Sequence, residues 1–280
     1  MKKNILIIPP NDFEAIMILR LAKAIDLPVI ISSQPHGASL DKEPDIVNKI
    51  IESGANKAVI VEMPGVKTEK QLLKKGLEVK IIDHHRYQNL NRKKIKSSLE
   101  QFLTVFHLND KKLLALGFDP RLVHGVAIFD RGFIWSLQNE GYSENEIKKV
   151  LAWQKKLMRP FTDPVIERRY EQAAKLAWQK RIKWQDFFII TTYTKEGLRR
   201  YVSLLVARKF DHPVPIIFDE RGRGVILVQD FSGAEKLFKK FGGFTFGEKG
   251  NWGYKNEPGK PKVTLVEVMD FLKKESKNKI

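Results

Sequence analysis

The chain holds 280 residues with 50 Lys and Arg against 33 Asp and Glu, a formal net charge of +17, 42% hydrophobic residues and no cysteine. Length and hydrophobic content exclude a disordered tail and predict one large domain or two ordinary ones. Apolar runs such as Ile5 to Pro9 and Val59 to Val61 fall far short of the roughly 18 residues a membrane span needs. Lys2 and Lys3 precede too short an apolar core for a secretory signal, so a cytoplasmic chain with no membrane partner is the expectation. Without cysteine, disulfides, thiolate catalysis and Cys-zinc centres drop out, and any metal must be held by His and carboxylates.

Taken in chain order, Ile5 to Ile8 reads as a strand closed by Pro9-Pro10, and Phe13 to Ile25 as a helix whose apolar face leaves Arg20 and Lys23 outside. The unit recurs: strand 29–32, helix 45–53, strand 58–61, helix 68–75, strand 79–82. Short buried strands alternating with helices predict a mostly parallel sheet. Residues 96–106 and 112–116 read as helices, and Arg121 to Asp130 as a mixed apolar segment. Ser143 with Glu146 three residues on is a capping box, and helices over 147–158 and 166–182 follow. Strands return at 187–192, 214–218 and 224–228, with helices at 195–210 and 233–241. The expected layout is α/β: a catalytic domain over 1–140, a helical connector over 141–184 and a smaller α/β domain over 185–280.

Ligands bind beyond the carboxyl ends of parallel strands. Reading outward from each strand gives Asp12 and Glu14 after the first, Glu62 after the third, Asp83-His84-His85 after the fourth, and Asp130 after the apolar run 122–129. Carboxylates and imidazoles gathered at one sheet edge are what hard divalent cations require. Each residue also has an ordinary reading: Asp12 as a helix N-cap, Glu62 as a loop residue, Asp130 as a turn.

The run Val79 to His85 resembles the signature strand and triplet of the DHH phosphoesterase superfamily. That superfamily includes RecJ-type exonucleases, nanoRNA oligoribonucleases, cyclic dinucleotide phosphodiesterases and manganese pyrophosphatases. Asp12-Phe13-Glu14 is similar to the family's Asp-x-Asp, Glu62 stands where it has a later Asp, and Gly125 to Phe133 is similar to the segment carrying its fourth Asp. The resemblance implies one or two Mn²⁺ (or Mg²⁺) ions. Asp12 would bind the first, Glu14, His84 and Asp130 the second, and Glu62 both, while Asp83 orients the imidazoles and His85 touches phosphate. Three departures stand out: Ile8 occupies the place of a usual His, and Glu14 and Glu62 replace Asp.

In the second half, residues 141–280 carry 29 Lys and Arg against 17 Asp and Glu. Phe241 to Gly247 resembles the glycine-rich loop of a DHHA1-type substrate domain, with Phe244 in place of its His. Gly242, Gly243, Phe244, Lys249, Arg221 and Arg223 are therefore expected to hold substrate, and Phe244, Phe246 or Trp252 to stack a base. Solvated lysines, and arginines capping a turn, are the plain alternatives. The function so implied is metal-dependent hydrolysis of single-stranded nucleic acid or short oligonucleotides. A nucleic-acid binder with a decayed site, or a hydrolase of cyclic dinucleotides or pyrophosphate, are the competing readings.

Overall fold

A computed structural model describes residues 3–277 except 36, 88, 248 and 249. The chain forms two compact units, Met1–His84 with Arg92–Phe161, and His85–Asn91 with Thr162–Ile280. The first is built on β1 (Asn4–Ile8), α1 (Phe13–Ala24), β2 (Val29–Ile31), α2 (Ile46–Glu52), β3 (Lys57–Val61), α3 (Val66–Lys74) and β4 (Glu78–Ile82). The strands form an all-parallel sheet in the order β2-β1-β3-β4. Alternation decides which side each residue serves. Ile5 and Ile7 with Ala58 and Ile60 pack under Leu40, Ile46, Ile50 and Leu72. From the other face, α1 packs with α4 (Ser98–Val105), α6 (Pro120–Asn139) and α7 (Glu144–Met158); the short α5 (Asp110–Ala115) lies between α4 and α6 in the chain.

The segment 121–130, read from the sequence as a mixed apolar segment, is helical throughout. It belongs to α6, capped by Asp119 with Pro120 in the first turn and broken at Gly132 and Phe133, whose φ is +62°. The expected connector over 141–184 is divided: α7 belongs to the first unit, and α8 (Pro164–Gln179) to the second. The capping box at Ser143 and Glu146 is present.

The second unit has an eight-stranded mixed sheet in the order β6-β5-β11-β12-β10-β9-β8-β7. It starts with two strands of two residues each, β5 (Arg86–Tyr87) and β6 (Leu90–Asn91). After α8 come β7 (Ile182–Trp184), β8 (Phe187–Thr192), α9 (Arg199–Ala207), β9 (Ile216–Glu220) and β10 (Val225–Gln229). The chain then runs through α10 (Ala234–Phe241), β11 (Phe244–Thr245), β12 (Trp252–Lys255) and α11 (Leu265–Lys277). One sheet face buries Ile217, Ile226, Val228 and Trp252 with Leu237 and Val268, and the other buries Ile190, Ile216, Phe218 and Leu227 with Trp178, Val202 and Val206. Lys273 and the residues after it, expected to fray as a basic tail, continue α11 through Lys277 because Val268 and Leu272 anchor that helix in the core. Among the described residues, no helix is long and apolar enough to cross a membrane.

Candidate metal centre

Four side chains expected at the site come together in the first unit. Glu14, Glu62, His84 and Asp130 each offer a ligand atom, all within 4.8 Å of one another. Nε2 of His84 lies 3.2 Å from Glu62 Oε1 and 3.2 Å from Asp130 Oδ2.

Each position follows from its local fold. Glu14 sits in the first turn of α1, next to Phe13, whose ring meets that of Phe129 edge-on at 5.5 Å. That contact seats α1 beside the residue preceding Asp130. Glu62 follows β3 with φ +49°, a left-handed conformation costly for a residue with a Cβ, and its N–H donates to Ile82 O at 3.0 Å. Non-glycine residues held in this way concentrate at functional sites. His84 follows β4 directly. Asp130 comes from a helix rather than from a strand end, the one ligand position whose expected setting is corrected.

Two further donors come from α4, which the sequence reading did not single out. The Ser98 hydroxyl donates to Glu62 Oε1 at 2.7 Å, and the Leu99 N–H donates to Glu14 Oε1 at 2.8 Å. Ser97 caps this helix with Glu100 in a complete capping box. The positive end of α4 thus faces two of the site's carboxylates. The Ser97-x-x-Glu100 spacing was the available signal.

Burial holds the Glu14 carboxyl well above the usual carboxylate range, Asp130, Glu62 and Asp12 add to the shift, and His84 opposes it. For His84, burial works against the charged ring, yet hydrogen bonds and attraction from Asp130 and Glu62 outweigh it and hold the imidazole's pKa well above its usual value. Three carboxylates and one imidazole drawn this close, with burial and then the neighbouring carboxylates raising the Glu14 pKa, fit a divalent cation that would displace protons on binding. The residues present could hold Mn²⁺ or Mg²⁺.

Asp12, Asp83 and Ile8 have other surroundings. Asp12 lies outside the set of four: its Oδ1 accepts from Ala15 N at 2.8 Å as the N-cap of α1. Asp83 is fully buried, and its carbonyl accepts from Gln101 Nε2 at 3.0 Å. Ile8, where the family's His would stand, is fully buried at the end of β1. His85 offers a ligand atom within 4.8 Å of those of Glu62 and His84, beside the cluster as expected, and its ring lies 6.1 Å from that of Tyr87. A cavity of about 460 Å³ also opens in the first unit, lined by residues including Asp110, Arg121, His124 and Tyr142, and none of the four clustered residues lines it.

In the second unit, Arg221 Nε donates to Asp219 at 2.8 Å, and Arg223 is paired with the fully buried Glu220, so both cations are engaged in the turn between β9 and β10. Gly242 ends α10, and its carbonyl accepts from Trp252 Nε1 at 2.8 Å. Gly243, at φ +83°, lets the backbone pass Gly253, since a Cβ there would lie 2.2 Å from Gly253 O. Trp252 is fully buried, which removes it as a stacking surface and corrects that expectation. Phe244 is 37% exposed. Lys249 lies outside the described residues.

No protein-family model and no curated protein matches the chain. Several solved structures are similar. An exopolyphosphatase-related protein from Bacteroides fragilis is 13% identical, with 99% of this chain and 92% of that chain covered and a TM-score of 0.48. Exonuclease RecJ bound to manganese is 13% identical, with 91% and 86% covered and a TM-score of 0.44. The pGpG-specific phosphodiesterase PggH from Vibrio cholerae is 14% identical, with 98% and 97% covered and a TM-score of 0.42.

Proposed function

We propose that this protein is a metal-dependent phosphodiester hydrolase acting on single-stranded nucleic acid or short oligonucleotides. The observation that carries this reading is the convergence of Glu14, Glu62, His84 and Asp130 within 4.8 Å, from four separate segments of the chain. The sequence resemblance to DHH phosphoesterases supports it, and so does the excess of basic residues in 141–280.

Glu14, Glu62, His84 and Asp130 would hold the cation, Mn²⁺ or Mg²⁺, with Asp12 close enough to add to the field on Glu14. When bound, such a cation supplies Lewis-acid polarisation of a phosphoryl oxygen and an acidified water. The chain's own groups set the stage. Ser98 fixes one Glu62 oxygen, the Leu99 amide fixes one Glu14 oxygen, and Glu62 Oε1 stands 3.2 Å from His84 Nε2. The positive end of α4 lowers the cost of collecting these acids in one place.

The test is direct. Purified protein with Mn²⁺ is expected to shorten an end-labelled single strand, and His84→Ala to abolish the reaction; undiminished cleavage by that variant would refute the assignment. A second reading, a nucleic-acid binder with a decayed site, is favoured by Ile8 and by the use of Asp12 as a helix cap. Calorimetry separates the two, because a decayed site takes up no Mn²⁺.

A further inference from the structure

Gln101, one turn into α4, is a buried polar residue whose side chain makes three hydrogen bonds. Its nitrogen Nε2 donates to two carbonyls at once, Asp83 O at 3.0 Å and Lys96 O at 3.0 Å. Its oxygen Oε1 accepts from Lys94 Nζ at 2.8 Å. An ammonium can only donate, so Lys94 fixes which end of the amide is oxygen, and the NH₂ end must then face the carbonyls. A carboxylate here could meet the lysine but not the carbonyls, and an apolar chain could meet neither.

The two carbonyls belong to two different parts of the metal centre's framework. Asp83 is the residue before His84, and Lys96 precedes the Ser97 cap of α4. Just beyond them, His84 Nε2 and the Ser98 hydroxyl converge on a single atom, Glu62 Oε1, at 3.2 Å and 2.7 Å. The Leu99 N–H, next along, holds Glu14 Oε1. One NH₂ group thus ties the backbone that carries the imidazole to the backbone that carries the hydroxyl and the amide.

We infer that Gln101 is a positioning residue of the metal centre: by pinning the start of α4 to the end of β4, it sets the spacing at which Ser98 and His84 meet Glu62. The inference rests on the function proposed above and deepens it by naming what holds the ligands in register. A cation binds tightly where its ligands already stand at the right separations, because groups that must be drawn together on binding lose conformational freedom at that moment. Glu62 is fixed to β4 by backbone, its N–H donating to Ile82 O at 3.0 Å. A helix has no such ladder to a sheet, and the Gln101 amide supplies a polar tie in its place. Since Ser98 and His84 reach the same Glu62 oxygen, a slip of α4 against β4 would open one contact or the other.

The experiment is calorimetry of Mn²⁺ binding to the full chain, with thermal unfolding in cation-free buffer to identify folded variants. Gln101→Met is similar in volume and loses all three hydrogen bonds. Gln101→Glu keeps the shape and the contact with Lys94 but, when ionised, donates to neither carbonyl. Its added negative charge alone would favour a cation, so weaker binding by this variant reports position and not charge. Both variants are expected to bind Mn²⁺ about 10- to 100-fold more weakly than wild type. Because Gln101 acts in part through Ser98, Gln101→Met placed in a Ser98→Ala background should weaken binding by a clearly smaller factor than it does alone. A merely structural residue would lower the unfolding temperature and leave that coupling at zero. Affinity of a folded Gln101 variant within about twofold of wild type overturns the inference, and so does full multiplication of the two single losses. If Gln101→Met does not fold, Gln101→Glu decides. Uptake of Mn²⁺ by wild type with equal uptake by the variants removes the role of Gln101 alone, whereas no uptake by wild type removes the hydrolase reading with it.

Discussion

The metal centre of the first unit and the ion pairs of the second arrange their charges differently. In the second, several acids meet cations in pairs, Asp219 with Arg221, Glu220 with Arg223, Glu235 with Arg86 and Glu275 with Lys236, as Glu69 and Arg92 do in the first. At the metal centre, Glu14, Glu62 and Asp130 crowd around the imidazole of His84. A one-to-one pair is complete in itself and holds a turn or a helix in place. A cluster of like charges is incomplete, and a protein that builds one keeps it stable with helix-end amides, a hydroxyl and protons until something positive arrives. This imbalance distinguishes a binding centre from scaffolding ion pairs more sharply than residue type does, since both units use the same acids.

The most forceful way to break the contrast is to remove the imidazole. Without added cation, His84→Ala leaves the Glu62 and Asp130 carboxylates facing each other with Glu14 beside them, and should cost about 3–5 kcal/mol in urea denaturation near pH 6. Glu14→Gln is the converse: the amide mimics the protonated acid and can still accept from Leu99, so stability without cation should hold, while the rise in unfolding temperature on adding Mn²⁺ should vanish. An equal loss in both variants would mean that the cluster is ordinary packing.

The next effect concerns a neutral group buried in the first unit. Gln154 on α7 is fully buried among Ile147, Val150 and Leu157, and neither of its amide atoms has a hydrogen-bond partner among the described residues. Gln154→Met, similar in volume, should stabilise the protein by about 1–3 kcal/mol, read from the denaturation midpoint at constant slope. The cap of α4 comes third. Ser97→Ala should cost about 1 kcal/mol, and because it loosens the turn that carries Ser98 and Leu99, it should also reduce the stabilisation gained from Mn²⁺.

The smallest effect tests the second unit. Burial pushes the Asp230 carboxyl above its ordinary value, with Gln229 and Arg199 acting in the other direction. The folded protein therefore keeps this proton at pH values where the unfolded chain, titrating near 3.8, has lost it. The group's contribution is largest below that value and declines as pH rises through the raised one. Asp230→Asn, which tolerates the same left-handed backbone, should flatten the slope of stability against pH. An unchanged slope would remove Asp230 as its source.

Much of the first unit was legible in the sequence. Runs such as Ile5 to Ile8 and Ala58 to Val61, bounded by Pro, Asn or Glu, can only be buried strands, and a parallel sheet then follows from the helices between them. Glu14, Glu62 and His84 were legible for the same reason, because the residues following strands in such a sheet share one edge. Asp130 was assigned the right neighbours and the wrong element: the break at Gly132 and Phe133 interrupts a helical pattern that is otherwise continuous from Pro120. Ser98 and the Leu99 amide were missed because one is a common surface residue type and the other acts through its backbone. In the second unit, β5, β6 and β11 have two residues each, too few for any periodicity, and only their partners in the sheet define them.

The pairing of Thr245 with Arg86 joins positions 159 residues apart. A ribosome releases the hairpin of β5 and β6 long before it makes the strand that receives it, so the eight-stranded sheet closes only near the end of synthesis. The second unit is consequently not a module that can be cut free: a fragment starting at Thr162 would lack its outer two strands and expose β11 as a raw edge, prone to pairing with other chains.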